Sequence, residues 1–111
     1  MIIAVDYDGT LILGDSVRSE FEQTPNLPLI EELIRLRKNG HKLILWTCRD
    51  GDWLTEAINY CKGFGLEFDA HNKNIDDGKK YINLSCKVIA DIYIDDRNMT
   101  IEEFIKKGQF K

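Results

Sequence analysis

Three short, mostly apolar runs, each closed by polar residues, constrain this chain more than any other feature. Met1 to Tyr7 opens with Met-Ile-Ile-Ala-Val, Lys42 to Trp46 carries Leu-Ile-Leu-Trp, and Val88 to Ile94 is nearly all apolar. None of the runs alternates apolar with polar residues. Each therefore reads as a strand buried on both faces, the mark of a parallel sheet whose crossovers are helices.

The intervening segments supply those helices. Asn26 to Asn39 has Leu29, Ile30, Leu33, Ile34 and Leu36 on one face, with Asn26 placed to cap it and Pro28 in its first turn. Glu31 and Glu32 suit its positive end, Arg35, Arg37 and Lys38 its negative end, and Gly40 stops it. A second helix runs from a cap at Asp52 to about Lys62, with Leu54, Ala57, Ile58 and Cys61 in one stripe. Leu66 to Phe68 is a short strand candidate, and Thr100 with Glu103 forms a capping box for a final helix through Lys106. Two stretches carry weaker patterns, 11–25 and 69–86. Leu11 to Leu13 reads as a short strand turning at Gly14-Asp15-Ser16, and Asp76-Asp77-Gly78 as a turn. The order β-α-β-α-β-(loop or helix)-β-α predicts an α/β fold: a three-layer, doubly wound, Rossmann-like and mainly parallel sheet, in a single domain over 1–111.

Composition narrows the function classes. A chain of 111 residues, 43% hydrophobic and 31% charged, makes one folded domain with a real core. The net charge of −4 argues against a dedicated nucleic-acid binder. The first apolar run ends at Asp6, too early for a signal peptide or a membrane span. Cys48, Cys61 and Cys86 are odd in number and lack CxxC spacing, which suits a reduced, cytoplasmic protein rather than a disulfide framework or a zinc cluster. His41 and His71 have no partner at ligand spacing, and Trp46 and Trp53 read as core and rim packing.

In parallel sheets, ligands bind beyond the carboxyl ends of the strands, so the residues closing each run carry the chemistry. The first run closes in Asp6-Tyr7-Asp8-Gly9-Thr10, the second in Thr47-Cys48-Arg49 and the last in Asp95-Asp96. Four carboxylates gathered on one edge repel one another unless a cation offsets them. Oxygen-only ligands favour magnesium over zinc. A calcium-binding EF-hand loop is excluded, because its sixth and twelfth positions counted from Asp6 hold Leu11 and Val17.

These residues also carry a resemblance. The chain resembles the haloacid dehalogenase (HAD) superfamily of phosphohydrolases, whose motifs appear in family order over nearly its whole length. The first is the apolar run ending in Asp6-Tyr7-Asp8-Gly9-Thr10, the second the strand ending in Thr47, and the fourth the strand ending in Asp95-Asp96. The third is a single lysine upstream of the last strand, matched by Lys87 in preference to Lys73, Lys79 or Lys80. The resemblance implies a magnesium-dependent phosphatase acting on a phosphate monoester. Asp6 would accept the phosphoryl group as nucleophile and Asp8 would be general acid and base. Thr47 and Lys87 would bind the phosphoryl oxygens and neutralise charge. Asp6, the Asp8 carbonyl and Asp95 would hold magnesium, with Asp96 a ligand directly or through water. Gly9 would let the chain turn so that amides after Asp6 face the phosphate, with Gly9 and Thr10 among the substrate-binding residues. Arg49 would touch phosphate or a leaving-group anion, or form a surface salt bridge, and Cys48 lies beside the site among the substrate-side residues, as a small packed thiol with no task in the mechanism.

Neither interval between motifs has room for a cap domain, so the resemblance implies a capless core with an open site. Such a site suits a phosphate on a large partner, or a small molecule enclosed by another subunit. Two other classes compete. A receiver-like phosphoacceptor uses similar residues in a different strand order. A non-catalytic phosphate-binding module would not need Asp6, Asp8, Thr47 and a lysine together.

Overall fold

A computed structural model of the chain describes residues 1–13, 24–75 and 88–107. Four strands form one sheet: β1 (Ile2–Val5), β4 (Lys42–Leu45), β5 (Ala70–His71) and β6 (Ile92–Ile94). They lie in the order β5-β4-β1-β6, and every neighbouring pair is parallel. Two further strands, β2 (Ile12–Leu13) and β3 (Thr24–Pro25), pair antiparallel beside it. Three helices complete the order: α1 (Leu27–Lys38), α2 (Gly51–Gly63) and α3 (Ile101–Lys107). Among the described residues no helix is long and apolar enough to cross a membrane.

The first two apolar runs have the predicted consequence, whereas β6, at the edge of the sheet, leaves Ile92 and Tyr93 exposed and so corrects the expectation of a third strand buried on both faces. Successive strand side chains point to opposite faces, so a strand covered on both sides must be apolar at every position. Ile3, Val5, Leu43 and Leu45 pack on one face against Ile30 and Leu33 of α1 and Ala57 and Cys61 of α2. Ala4 and Ile44 point the other way, to Ala70 and Val88. Each large aliphatic side chain buried here stabilises the fold by about 1.5–3 kcal/mol. The result is a mixed α/β domain with a parallel four-stranded sheet flanked by helices, compatible with a Rossmann-like arrangement.

Several boundaries differ from the sequence expectations. The third parallel strand is Ala70–His71, whereas Leu66 to Phe68 has no strand pairing. Leu66 is instead buried against the helices. The first and last strands are shorter than their apolar runs; just before Ile92, the Asp91 N–H donates to the Ile2 carbonyl at 2.8 Å and its carboxylate accepts from the Ile2 N–H at 2.6 Å. Asp50, not Asp52, caps α2: its backbone is extended and its carboxylate accepts from the Gly51 N–H. Asn26 precedes α1 but makes no side-chain cap; its amide donates to the Thr10 carbonyl at 3.1 Å and so ties the helix to the loop after β1. Glu31 and Glu32 lie beyond the first turn. The Thr100–Glu103 capping box is present in both directions, with Glu103 N–H donating to Thr100 Oγ1 at 3.1 Å. The turns expected at Gly14-Asp15-Ser16 and Asp76-Asp77-Gly78 lie outside the described residues.

Candidate functional site

Strand register builds the site. Val5 pairs with Ile94 on one side and with Leu45 on the other. Asp6 N–H continues the ladder by donating to the Ile94 carbonyl at 2.9 Å, as Trp46 N–H does to the Val5 carbonyl. Asp6 and Asp95 therefore leave adjacent strands side by side, at the spacing of about 4.8 Å that a sheet imposes. The strand order also reverses here. The chain runs outward from β1 to β4 and β5, then returns to β6 on the other side of β1. Crevices of open α/β sheets form at such switch points.

One carboxylate oxygen from each of Asp6, Asp95 and Asp96 lies within 4.8 Å of the others. Asp95 and Asp96 are exposed, and Asp6 is half-buried. Burial, followed by the charge of Asp95, pushes the Asp6 carboxyl up to about 6; Asp96 adds to this, and the Tyr7 amide and Thr10 hydroxyl oppose it. The Thr10 hydroxyl lies 3.4 Å from Asp6 Oδ2. Among the described residues, no ion pair joins any of the three carboxylates to a basic side chain. Hard oxygen donors at this spacing fit a divalent cation of the magnesium type.

Gly9 makes room for this cluster. Its φ of +84° lies in the left-handed region, and a Cβ added there would sit 2.3 Å from Asp96 Oδ2. The loop is closed by Thr10, Leu11 and Ile12 N–H groups, all donating to the Tyr7 carbonyl, and by Gly9 N–H donating to the Ile12 carbonyl. The Gly9 and Thr10 amides are thus committed within the loop. Gly9→Ala is expected to displace Asp96, to cost about 1–3 kcal/mol of stability and to weaken cation binding. Denaturant titration and a magnesium titration of the same variant check both effects.

Asp8 lies apart from the three-carboxylate group. Its carboxylate is forked by Arg49, with Nε to Oδ2 at 2.9 Å and Nη2 to Oδ1 at 2.8 Å. Arg49 is only 2% exposed. Its guanidinium lies 4.5 Å from the Tyr7 ring centroid and 4.7 Å from that of Trp53. Burial works against the charge of Arg49, but the bonds to Asp8 outweigh it and hold the guanidinium above its ordinary pKa. Trp53, expected at the rim, covers this cation.

Thr47 closes β4 as expected. Its N–H donates to Asn72 Oδ1 at 2.8 Å, and its hydroxyl accepts from Arg49 N–H at 3.2 Å. Asn72 was not legible as a site residue. It follows β5, takes a left-handed φ of 53°, and its amide also donates to the Arg49 carbonyl at 3.2 Å, so it clamps the whole 47–49 turn. The available signal was an asparagine, which tolerates that backbone region, directly after a strand. Cys48, expected as a small packed thiol, is instead exposed, with a free thiol. Lys87, like Lys79 and Lys80, lies outside the described residues; Lys73 is exposed just beyond Asn72.

No family model and no curated protein matches the chain. A solved structure does: a conserved protein coded by a locus from Bacteroides thetaiotaomicron, 38% identical, covering 99% of this chain and 93% of that one, with a TM-score of 0.73. The chain belongs to the family of that conserved Bacteroides protein. At this identity and coverage the two proteins share their fold.

Proposed function

We propose that the protein is a magnesium-dependent phosphatase that hydrolyses a phosphate monoester through an aspartyl-phosphate on Asp6, as a small capless member of the HAD superfamily. The observation that carries this reading is the convergence of Asp6, Asp95 and Asp96 within 4.8 Å at the sheet's switch point. The motif order supports it, with Thr47 closing the neighbouring strand.

In the first step, an Asp6 carboxylate oxygen attacks phosphorus and the bond to the leaving oxygen breaks. Asp8 gives that oxygen its proton. In the second step, water attacks the phosphorus of the acyl phosphate, its proton passes to Asp8, and Asp6 is released as carboxylate. Thr47, whose N–H donates to Asn72, would orient a phosphoryl oxygen, and an upstream lysine, Lys87 by motif order, would neutralise charge. Asp6, Asp95 and Asp96 would hold the cation, which when bound supplies Lewis-acid stabilisation of the phosphoryl oxygens and lowers the repulsion among the three acids. Exposure of Asp95 and Asp96 leaves the site open, so the substrate is either a small phosphate ester or a phosphate on a larger partner.

Turnover of an aryl phosphate with magnesium, and its loss on adding chelator, is the expected result. Hydrolysis that persists unchanged in chelator rules the reading out.

A further inference from the structure

We infer that Arg49 is a positioning residue for Asp8: a cation locked between two aromatic rings that fixes the direction of the acid–base carboxylate and is not itself a phosphate contact. The inference rests on the phosphatase reading above and deepens it. Three observations carry it. Both Asp8 oxygens accept from Arg49, in the planar fork that only guanidinium presents. The guanidinium is sandwiched by the Tyr7 and Trp53 rings, and Nη1 donates to the Trp53 carbonyl at 3.4 Å. At 2% exposure, Arg49 offers a substrate anion almost no surface.

The fork takes one acceptor position on each Asp8 oxygen and fixes the plane of the carboxylate. The fork also separates the two aspartates of the first motif. Asp6 joins the cation cluster while Asp8 is kept out of it. Asn72 anchors the Arg49 carbonyl, and so holds the far end of the same device.

The test compares two substrates that differ in their need for an acid. An alkyl phosphate requires a proton on its leaving oxygen; a nitrophenyl phosphate leaves as a stabilised phenolate. In the full chain with magnesium, Arg49→Gln is expected to lose roughly 100-fold in kcat on the alkyl substrate and about tenfold or less on the aryl one. Arg49→Lys keeps the charge but cannot fork both oxygens. It is expected to show the same skew between substrates, and it serves if Arg49→Gln does not fold. Asp8→Asn combined with either variant should lose little more than Asp8→Asn alone. Equal losses on the two substrates, or a KM increase without a kcat change, would overturn the inference and return Arg49 to phosphate binding. A wild-type protein that hydrolyses neither substrate would instead overturn the phosphatase reading on which the inference stands.

Discussion

Asp6→Asn is expected to remove turnover, by roughly 10⁴-fold or more, while making the metal-free protein more stable at neutral pH. The first effect follows from the loss of a covalent nucleophile, for which no neighbour substitutes. The second follows from the electrostatics of the cluster. Burial and the facing Asp95 raise the Asp6 carboxyl from its ordinary 3.8 to about 6. A carboxyl raised by folding binds its proton more tightly in the native state than in the unfolded one. Its contribution to stability is therefore present below about pH 4 and lost as pH rises through about 6. Two pKa units correspond to about 3 kcal/mol, and solvent screening of a half-exposed group reduces this to about 1–2 kcal/mol. Thermal melts in chelator should show the wild type losing stability between about pH 4 and pH 6, and Asp6→Asn losing less. An active Asp6→Asn protein, or identical pH profiles of stability, would contradict the account.

Asp95→Asn carries the second large effect. Asp95 meets Asp6 because β6 pairs with β1 in register, and its charge raises Asp6 more than that of Asp96 does. Replacing it removes a negative ligand but keeps the shape of the side chain. Loss of supporting residues around metal sites costs about 10–100-fold in affinity, so loss of a ligand should reach at least the upper end of that range. Magnesium titration by calorimetry checks this without reference to activity. Saturating magnesium should restore part of the turnover of Asp95→Asn and none of that of Asp6→Asn. Unchanged magnesium affinity would place the cation elsewhere.

How much of this was legible in the sequence depended on whether a feature was local. The apolar runs at 2–5 and 43–45 identify buried strands because double-sided burial demands apolar residues at every position. The residues that end those strands followed directly, and with them Asp6 and Thr47, as Asp95 did from the run that ends at Ile94. Legibility stopped where tertiary contact decides the outcome. The pairing of Ala70–His71 rather than Leu66 to Phe68 is set by where β4 runs out of partners, and a two-residue strand leaves no period to detect. The Asp8–Arg49 fork spans 41 positions of chain, and no spacing rule connects them. Asn72 escaped for the same reason: its role is visible only once β5 and β4 are neighbours. Gly9, by contrast, was legible as a turn residue, but the reason for it is a contact with Asp96 from the other end of the chain.

The most direct measurement of the central claim is chemical trapping of the phosphorylated enzyme. The protein is mixed with magnesium and an aryl phosphate, quenched within the first turnovers and treated with hydroxylamine, which converts an acyl phosphate to a hydroxamate. The account predicts one modified residue, Asp6, dependent on magnesium and absent from Asp6→Asn. Steady turnover with no adduct, or an adduct on Asp8 or Asp95 in its place, would contradict it.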